Sequence, residues 1–162
     1  MSDTEHPQIY LVSPPQVSLA DFPVLLNAVL DMHPVACMRL ALASHDEDEI
    51  ARAADAIRPV CHERDIPLVI DTHFRLAGRL GLDGVHLRDG ARSVRAARKA
   101  LGAEAIVGAA CGASRHDGLN AGEAGADYVA FGPVAPSSLG GGEIARPELF
   151  EWWSAMIELP VV

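Results

Sequence analysis

Apolar residues in this chain fall in short blocks, and the stretches between them repeat apolar positions with a helical period. Seven blocks stand out: Ile9–Ser13, Val35–Ala41, Pro67–Asp71, Gly84–Arg88, Ala105–Ala110, Asp127–Gly132 and Leu159–Val162. Each is apolar at most positions rather than at every second one, as strands are when both faces of a parallel sheet are covered. Their starts recur at intervals of about 25 residues, the length of a βα unit.

The segments between the blocks carry helix signals. Ser44 followed by Glu47 forms a capping-box pattern ahead of an apolar face of Ile50, Ala53, Ala54 and Ile57. Asp46, Glu47, Asp48 and Glu49 crowd that first turn, where negative charge favours the helix dipole. Ser18 precedes a stripe of Leu19, Phe22, Leu25, Leu26, Val29 and Leu30. Ser93 opens a basic helix with Val94, Ala97 and Leu101 inside, closed by Gly102. Pro147 suits a first helical position before Leu149, Phe150, Trp153 and Ile157, and of Trp152 and Trp153 one must face inward. His73 to Leu80 leaves room for a short helix only.

This unbroken rhythm predicts an α/β chain, a TIM (β/α)8-type barrel rather than an open doubly wound sheet. A dinucleotide fold carries G-x-G-x-x-G after its first strand. Here Ser13-Pro14-Pro15 stands in that place, so no nucleotide cofactor is expected. Residues 1–162 read as a single barrel domain. Eight units at this spacing need about 200 residues, so the barrel is expected to be truncated after its seventh strand, incomplete at the C-terminus.

Composition narrows the function classes. The 162 residues are 49% hydrophobic and 22% charged, enough for a real core and too apolar for disorder. Thirteen basic residues against 22 acidic ones leave a formal charge of −9, which argues against a nucleic-acid partner. No apolar run approaches the ~20 residues that span a bilayer, and Asp3 and Glu5 make a poor secretory signal. Cys37, Cys61 and Cys111 are odd in number with no C-x2-C pair, so neither a disulfide framework nor structural zinc is expected. Cys37 and Cys111 read as small buried residues. The balance is that of a cytoplasmic protein with no membrane partner; a homo-oligomer stays open.

In a βα barrel, chemistry sits at the C-terminal ends of the strands. Those ends carry Arg39, Ser44, Asp71, Thr72, His73, His86, Arg88, Asp89, Cys111, Ser114, Ser137 and Ser138. Arg39 lies inside an apolar block and needs a counter-charge: an internal ion pair with Asp71 or Asp89, or an anionic ligand. His86, between Val85 and Leu87, reads either as a hydrogen-bonded core histidine or as a site group. Asp71 and Asp89 can ligate magnesium, which takes carboxylates together with substrate phosphate oxygens, although loop capping explains them too. The run Pro136-Ser137-Ser138-Leu139-Gly140-Gly141-Gly142 can wrap a phosphate with backbone N–H groups and hydroxyls. The candidate set for a phosphorylated small molecule is Arg39, Asp71, His86, Arg88, Gly132, Ser137 and Ser138, with Asp71 and Asp89 for a metal. No residue is singled out as catalytic.

Two stretches carry a family resemblance. Gly81-Leu82-Asp83-Gly84-Val85-His86-Leu87 resembles the G-A-D-G-V-H-L of thiamine phosphate synthases. Ala124-Gly125-Ala126-Asp127-Tyr128-Val129-Ala130-Phe131-Gly132-Pro133-Val134 resembles that family's A-G-A-D-Y-V-x-x-G-P-V/I. Ile9–Val12 and Ile66–Ile70 match its first and third strands. The resemblance implies a TIM barrel that joins hydroxymethylpyrimidine pyrophosphate to thiazole phosphate with magnesium and releases pyrophosphate.

Within that pattern, Arg39 keeps the arginine of the family's Q-x-R-x-K, while Cys37 and Ala41 replace the glutamine and lysine. Thr72 and Ala91 stand where the family has its metal aspartates. Ala110-Cys111-Gly112-Ala113 replaces S-x-H-T, and Gly140 stands at the lysine that meets pyrophosphate. Three readings follow: a synthase with a modified site, a non-catalytic phosphate-ligand barrel, and a thiazole tautomerase-like isomerase using His86 or His73.

Overall fold

The computed structural model describes residues 6–137 and 142–162. Six strands alternate with six helices: β1 (Ile9–Val12), α1 (Phe22–Met32), β2 (Val35–Leu40), α2 (Glu47–His62), β3 (Leu68–Asp71), α3 (Phe74–Leu80), β4 (Gly84–Leu87), α4 (Val94–Leu101), β5 (Ile106–Ala110), α5 (Arg115–Ala124), β6 (Tyr128–Ala130) and α6 (Pro147–Met156). All strands are parallel and lie in sequential order, β1-β2-β3-β4-β5-β6. This is a parallel half-barrel, and it bears out the βα rhythm.

The seventh apolar block pairs less than expected. Pro160 and Val162 run beside β6 through three backbone hydrogen bonds of 2.9–3.0 Å, and Val161 forms one parallel bridge with Val129. Pro160 has no N–H, so the ladder loses a donor where it would start. Among the described residues no helix is long and apolar enough to cross a membrane.

Alternation along each strand sorts the side chains. Met38, Leu40, Leu68 and Ile70 face outward onto Leu26, Leu30, Ile50, Ala54 and Ile57 of α1 and α2. Val85, Leu87, Val107, Ala109, Val129 and Phe131 do the same against Val94, Ala97, Ala121 and Trp153. Trp153 is the inward tryptophan of α6; its Nε1 donates to the Leu159 carbonyl at 2.8 Å. Trp152 instead lies under the Arg115 guanidinium, 4.2 Å from the ring centre.

Three helix starts or stripes differ from expectation. The cap of α2 is Asp46, whose Oδ1 accepts from Asp48 N at 2.8 Å and Glu49 N at 3.2 Å, while Ser44 Oγ only accepts from Asp46 N. A carboxylate two residues closer to the helix reaches two orphan N–H groups, so it displaces the serine. On α1 only Leu26 and Leu30 are buried; Leu19 and Leu25 are about half exposed, at 48% and 59%. Ser93 does not cap α4 but donates to Asp89 Oδ2 at 2.5 Å. Of the cysteines, Cys61 and Cys111 are buried and Cys37 is half-buried.

The N-terminal end of the sheet carries a repeated fastening. Helices α3 and α5 each end on a left-handed glycine, Gly81 (φ 66°) and Gly125 (φ 111°), where a side chain would be strained. Two residues on, Asp83 Oδ2 accepts from Leu68 N at 2.7 Å and contacts His62 Nε2 at 2.9 Å. Asp127 Oδ2 repeats this, accepting from Val107 N at 2.7 Å and Arg98 Nη2 at 2.6 Å. Each aspartate thus ties its own strand to the start of the preceding one. The G-x-D of both family-like stretches does structural work far from the strand C-termini.

Candidate functional site

The inward faces of the strands build the site from below. β2 carries Arg39 inward and β3 carries Asp71; Arg39 Nε donates to Asp71 Oδ1 at 2.6 Å and Nη2 to Oδ2 at 2.9 Å. Their side chains are only 17% and 13% exposed, so this two-pronged pair is largely out of water. Burial works against the Arg39 charge, and Asp71 more than offsets it, holding the guanidinium above its ordinary value. Of the counter-charges open to Arg39, the fold brings Asp71.

Asp71, His86, Gly108 and Tyr128 stand level with one another across β3 to β6. Gly108 has no side chain, and the Tyr128 ring leans over it: a methyl there would sit 2.0 Å from Tyr128 Cζ. The Tyr128 hydroxyl reaches His86 Nδ1 at 2.7 Å and the Tyr10 hydroxyl of β1 at 2.5 Å. Tyr10 and Tyr128 are 118 residues apart, and their contact ties the first strand to the sixth across the interior. Burial first, then the Arg39 charge, lowers the His86 pKa to about 4. Burial likewise raises both tyrosines well above the ordinary phenol range.

Above this interior lies the rim. Thr72 follows β3 in the left-handed region (φ 62°), a costly conformation for a β-branched residue, and its N–H donates to the His86 carbonyl at 2.9 Å. His73 Nδ1 lies 3.8 Å from Glu47, and its Nε2 is buried without a partner among the described residues. Arg88 separates two concavities, a tight one with Ser44, Asp71 and His73 and an open groove of about 520 Å³. Arg88, Asp89, Arg92, Cys111, Ser114, Asp117 and Glu143 line that groove. Neither Arg88 nor Arg92 makes an ion pair among the described residues. Burial pushes the Cys111 thiol up to about 12, so at neutral pH it is protonated and no nucleophile. A larger cavity, about 690 Å³, lies at the opposite end of the sheet between His6, His33 and Ile66. Its Asp31 and Arg64 neutralise each other at 2.7 Å, leaving no unpaired arginine or lysine among the described lining residues for an anionic ligand.

The sequence-derived candidates therefore divide. Arg39, Asp71 and His86 meet in the interior, while Arg88 and Asp89 stand on the rim. Gly132 N donates to the Gly112 carbonyl at 3.1 Å, beside the groove, and Ser137 is on the exposed loop beyond. Ser138, with Leu139, Gly140 and Gly141, lies outside the described residues, and with them most of the glycine-rich loop. Tyr10, Gly108 and Tyr128 escaped sequence reasoning. Inward parity with Arg39, Asp71 and His86 is the signal that would have found them.

The carboxylates at the strand ends are already engaged. Both Asp71 oxygens are engaged by Arg39, and Asp89 Oδ2 accepts from Ser93. Among the described residues no three carboxylate, histidine or cysteine groups converge. The residues do not fit a protein-built magnesium site.

Comparison with known proteins gives the family and the fold. A sequence model described as thiamine monophosphate synthase matches residues 9–162. The thiamine-phosphate synthase of Rhodospirillum centenum is 40% identical over 156 residues, covering 96% of this chain and 75% of that protein. That of Erythrobacter litoralis is 41% identical over 168 residues, covering 100% of this chain and 78% of the relative. Among solved structures, a thiamine phosphate pyrophosphorylase from Pyrococcus furiosus superposes with a TM-score of 0.77 at 18% identity, over 95% of this chain and 72% of that one. At that identity the likeness speaks for the fold.

Proposed function

Starting from the chain's membership of the thiamine monophosphate synthase family, we propose that it joins hydroxymethylpyrimidine pyrophosphate to thiazole phosphate at the C-terminal mouth of its sheet. The observation that carries this reading is the family match along residues 9–162, which takes in all six strands. In the reaction, the thiazole nitrogen lone pair forms a C–N bond to the pyrimidine methylene carbon. The C–O bond to pyrophosphate breaks, and its electron pair leaves on the pyrophosphate. Catalysis of such a step consists of positioning and of stabilising the leaving charge.

Arg88 is the group we assign to the leaving pyrophosphate, with Gly132, Ser137 and Ser138 toward the phosphate groups. Arg39, neutralised by Asp71, shapes the floor and takes no free-cation role. No step is routed through magnesium. The half-barrel itself is read as the larger part of an eight-stranded barrel in one domain. Its sequential parallel order supports this, as do the outer edges of β1 and Pro160–Val162, unpaired among the described residues. We place the protein in the cytoplasm, and the exposed Val24, Leu25 and Met32 of α1 are what a homo-oligomeric contact would bury.

The Arg39–Asp71 pair also favours a second reading. With Arg39 neutralised, the groove offers two guanidinium groups, unpaired among the described residues, beside three carboxylates, a weak match for a pyrophosphate leaving group. A non-catalytic barrel that binds a phosphorylated ligand needs less. Acid catalysis by His86 in an isomerase has the opposite difficulty, because a pKa near 4 leaves it unprotonated at pH 7. The deciding experiment incubates the full chain with both substrates and follows thiamine phosphate by chromatography, with melting curves alongside. Product above background supports the synthase. A rise in Tm with thiazole phosphate but no product supports the binding barrel. Neither response defeats both.

A further inference from the structure

The two tyrosines over Gly108 have no part in the groove, yet they contact His86 in the interior. We propose that Tyr10 and Tyr128 act as positioning residues that hold His86 in its neutral Nε2–H tautomer, presenting that N–H as a fixed donor to an uncharged acceptor on the substrate's heterocycle. The tautomer stands on geometry alone; its use on substrate rests on the synthase reading.

The direction of the hydrogen-bond chain follows from donor counting. Tyr10 Oη, Tyr128 Oη and His86 Nδ1 are linked at 2.5 and 2.7 Å. If Tyr10 donates to Tyr128 and Tyr128 to Nδ1, every hydroxyl hydrogen in the chain is used. If His86 donated instead, Tyr128 would pass its proton to Tyr10, and the Tyr10 hydrogen would have no acceptor among the described residues. Of the charged groups around Tyr10, Arg39 is a donor only, and both Asp71 oxygens accept from Arg39. Nδ1 is therefore the acceptor, and the single ring proton resides on Nε2. That nitrogen has no hydrogen-bond partner among the described residues.

The surroundings keep the ring neutral. His86 is 1% exposed, and Arg39, Asp71 and Arg88 are the charged groups around it. A neutral N–H is a poor partner for pyrophosphate, which a cation serves better, and a good one for a ring nitrogen. Gly108 is what makes the arrangement possible, because any side chain there displaces the Tyr128 ring.

The test labels the histidines with ¹⁵N and reads the His86 ring by long-range ¹H–¹⁵N spectra of the full chain. The wild type is expected to show Nε2 protonated and Nδ1 bare. Tyr128→Phe is expected to give a mixture of tautomers, and Tyr10→Phe, which keeps the ring that packs the interior, a smaller change in the same direction. An Nδ1–H wild type, or a spectrum unmoved in both variants, overturns the tautomer assignment. The substrate role is read by calorimetry with hydroxymethylpyrimidine and, separately, inorganic pyrophosphate. Tyr128→Phe is expected to weaken the pyrimidine about 5- to 10-fold, the value of one hydrogen bond, and to leave pyrophosphate unchanged. Equal loss for both ligands, or none for the pyrimidine, overturns the donor role. Absence of turnover in the wild type would count against the synthase reading alone.

Discussion

The two ends of this sheet are built on opposite terms. At the N-terminal end, Asp83 and Asp127 each satisfy a strand N–H and a basic side chain, and Arg98 also donates to the carbonyls of Ala105 and Gly125. At the C-terminal end, Thr72 sits at positive φ, His73 Nε2 is buried without a partner among the described residues, and Arg88 and Arg92 lack counter-charges among them. Between the ends lies the ordered floor of Arg39, Asp71, His86, Tyr10 and Tyr128. The contrast teaches where this chain invests its hydrogen bonds: satisfied groups stabilise, while unsatisfied groups at a mouth remain available to a ligand.

Acid breaks the floor first. The His86 pKa is lowered from 6.5 to about 4, so the folded state favours the neutral ring. That contribution is complete above pH 6.5 and fades as pH falls toward 4, because the unfolded chain then takes up a proton that the folded one refuses. The expected loss is about 3 kcal/mol, read by urea unfolding at a series of pH values. A His86→Leu variant should flatten the slope between pH 6.5 and 4, and an unchanged slope would refute the assignment.

Arg39→Met leaves Asp71 buried beside no cation, and should cost about 3 kcal/mol in the same measurement. Adding Asp71→Leu should recover most of that loss, since a hydrophobic replacement of a buried pair is often neutral. If the double variant is no better than the single one, the pair is not the source of the effect.

Asp127→Ala probes the opposite end. It strands the Val107 N–H and the Arg98 guanidinium, for an expected cost of about 2 kcal/mol in stability. Substrate affinity, measured on folded protein, should not move. A change in affinity without a change in stability would reverse the comparison between the two ends.

Arg88→Ala is the mirror image and the smallest effect on folding. Exposed and without an ion pair among the described residues, Arg88 should alter stability by less than about 0.5 kcal/mol. Affinity for inorganic pyrophosphate should fall about tenfold, as for the loss of a charge-assisted contact. Unaltered affinity would take Arg88 out of the site.

Much of the architecture was legible before any coordinates. The period of the apolar blocks marked seven strands, of which six form in sequential parallel order and the last makes a single bridge; burial on both faces leaves that local trace. Helix starts were less secure, since Ser44 and Asp46 are both good caps and the choice depends on which oxygen reaches two N–H groups. The candidate site was half legible. Strand-end logic singled out Arg39, Asp71, His86 and Arg88, and the family-like stretches marked Asp83 and Asp127 without revealing that they fasten the sheet.

Pairing was beyond the reach of the pattern. Arg39 had several possible counter-charges, and only the registry of β2 and β3 delivers Asp71, 32 positions away. The Tyr128–His86 contact spans 42 positions and the Tyr10–Tyr128 contact 118, and both depend on how the sheet curves over Gly108. Periodicity is a property of neighbouring residues, so it specifies which segments are strands and which face of each is apolar. The distance between two inward side chains is a property of sheet twist, register and the small residues between them, and it exists only once the chain has closed on itself.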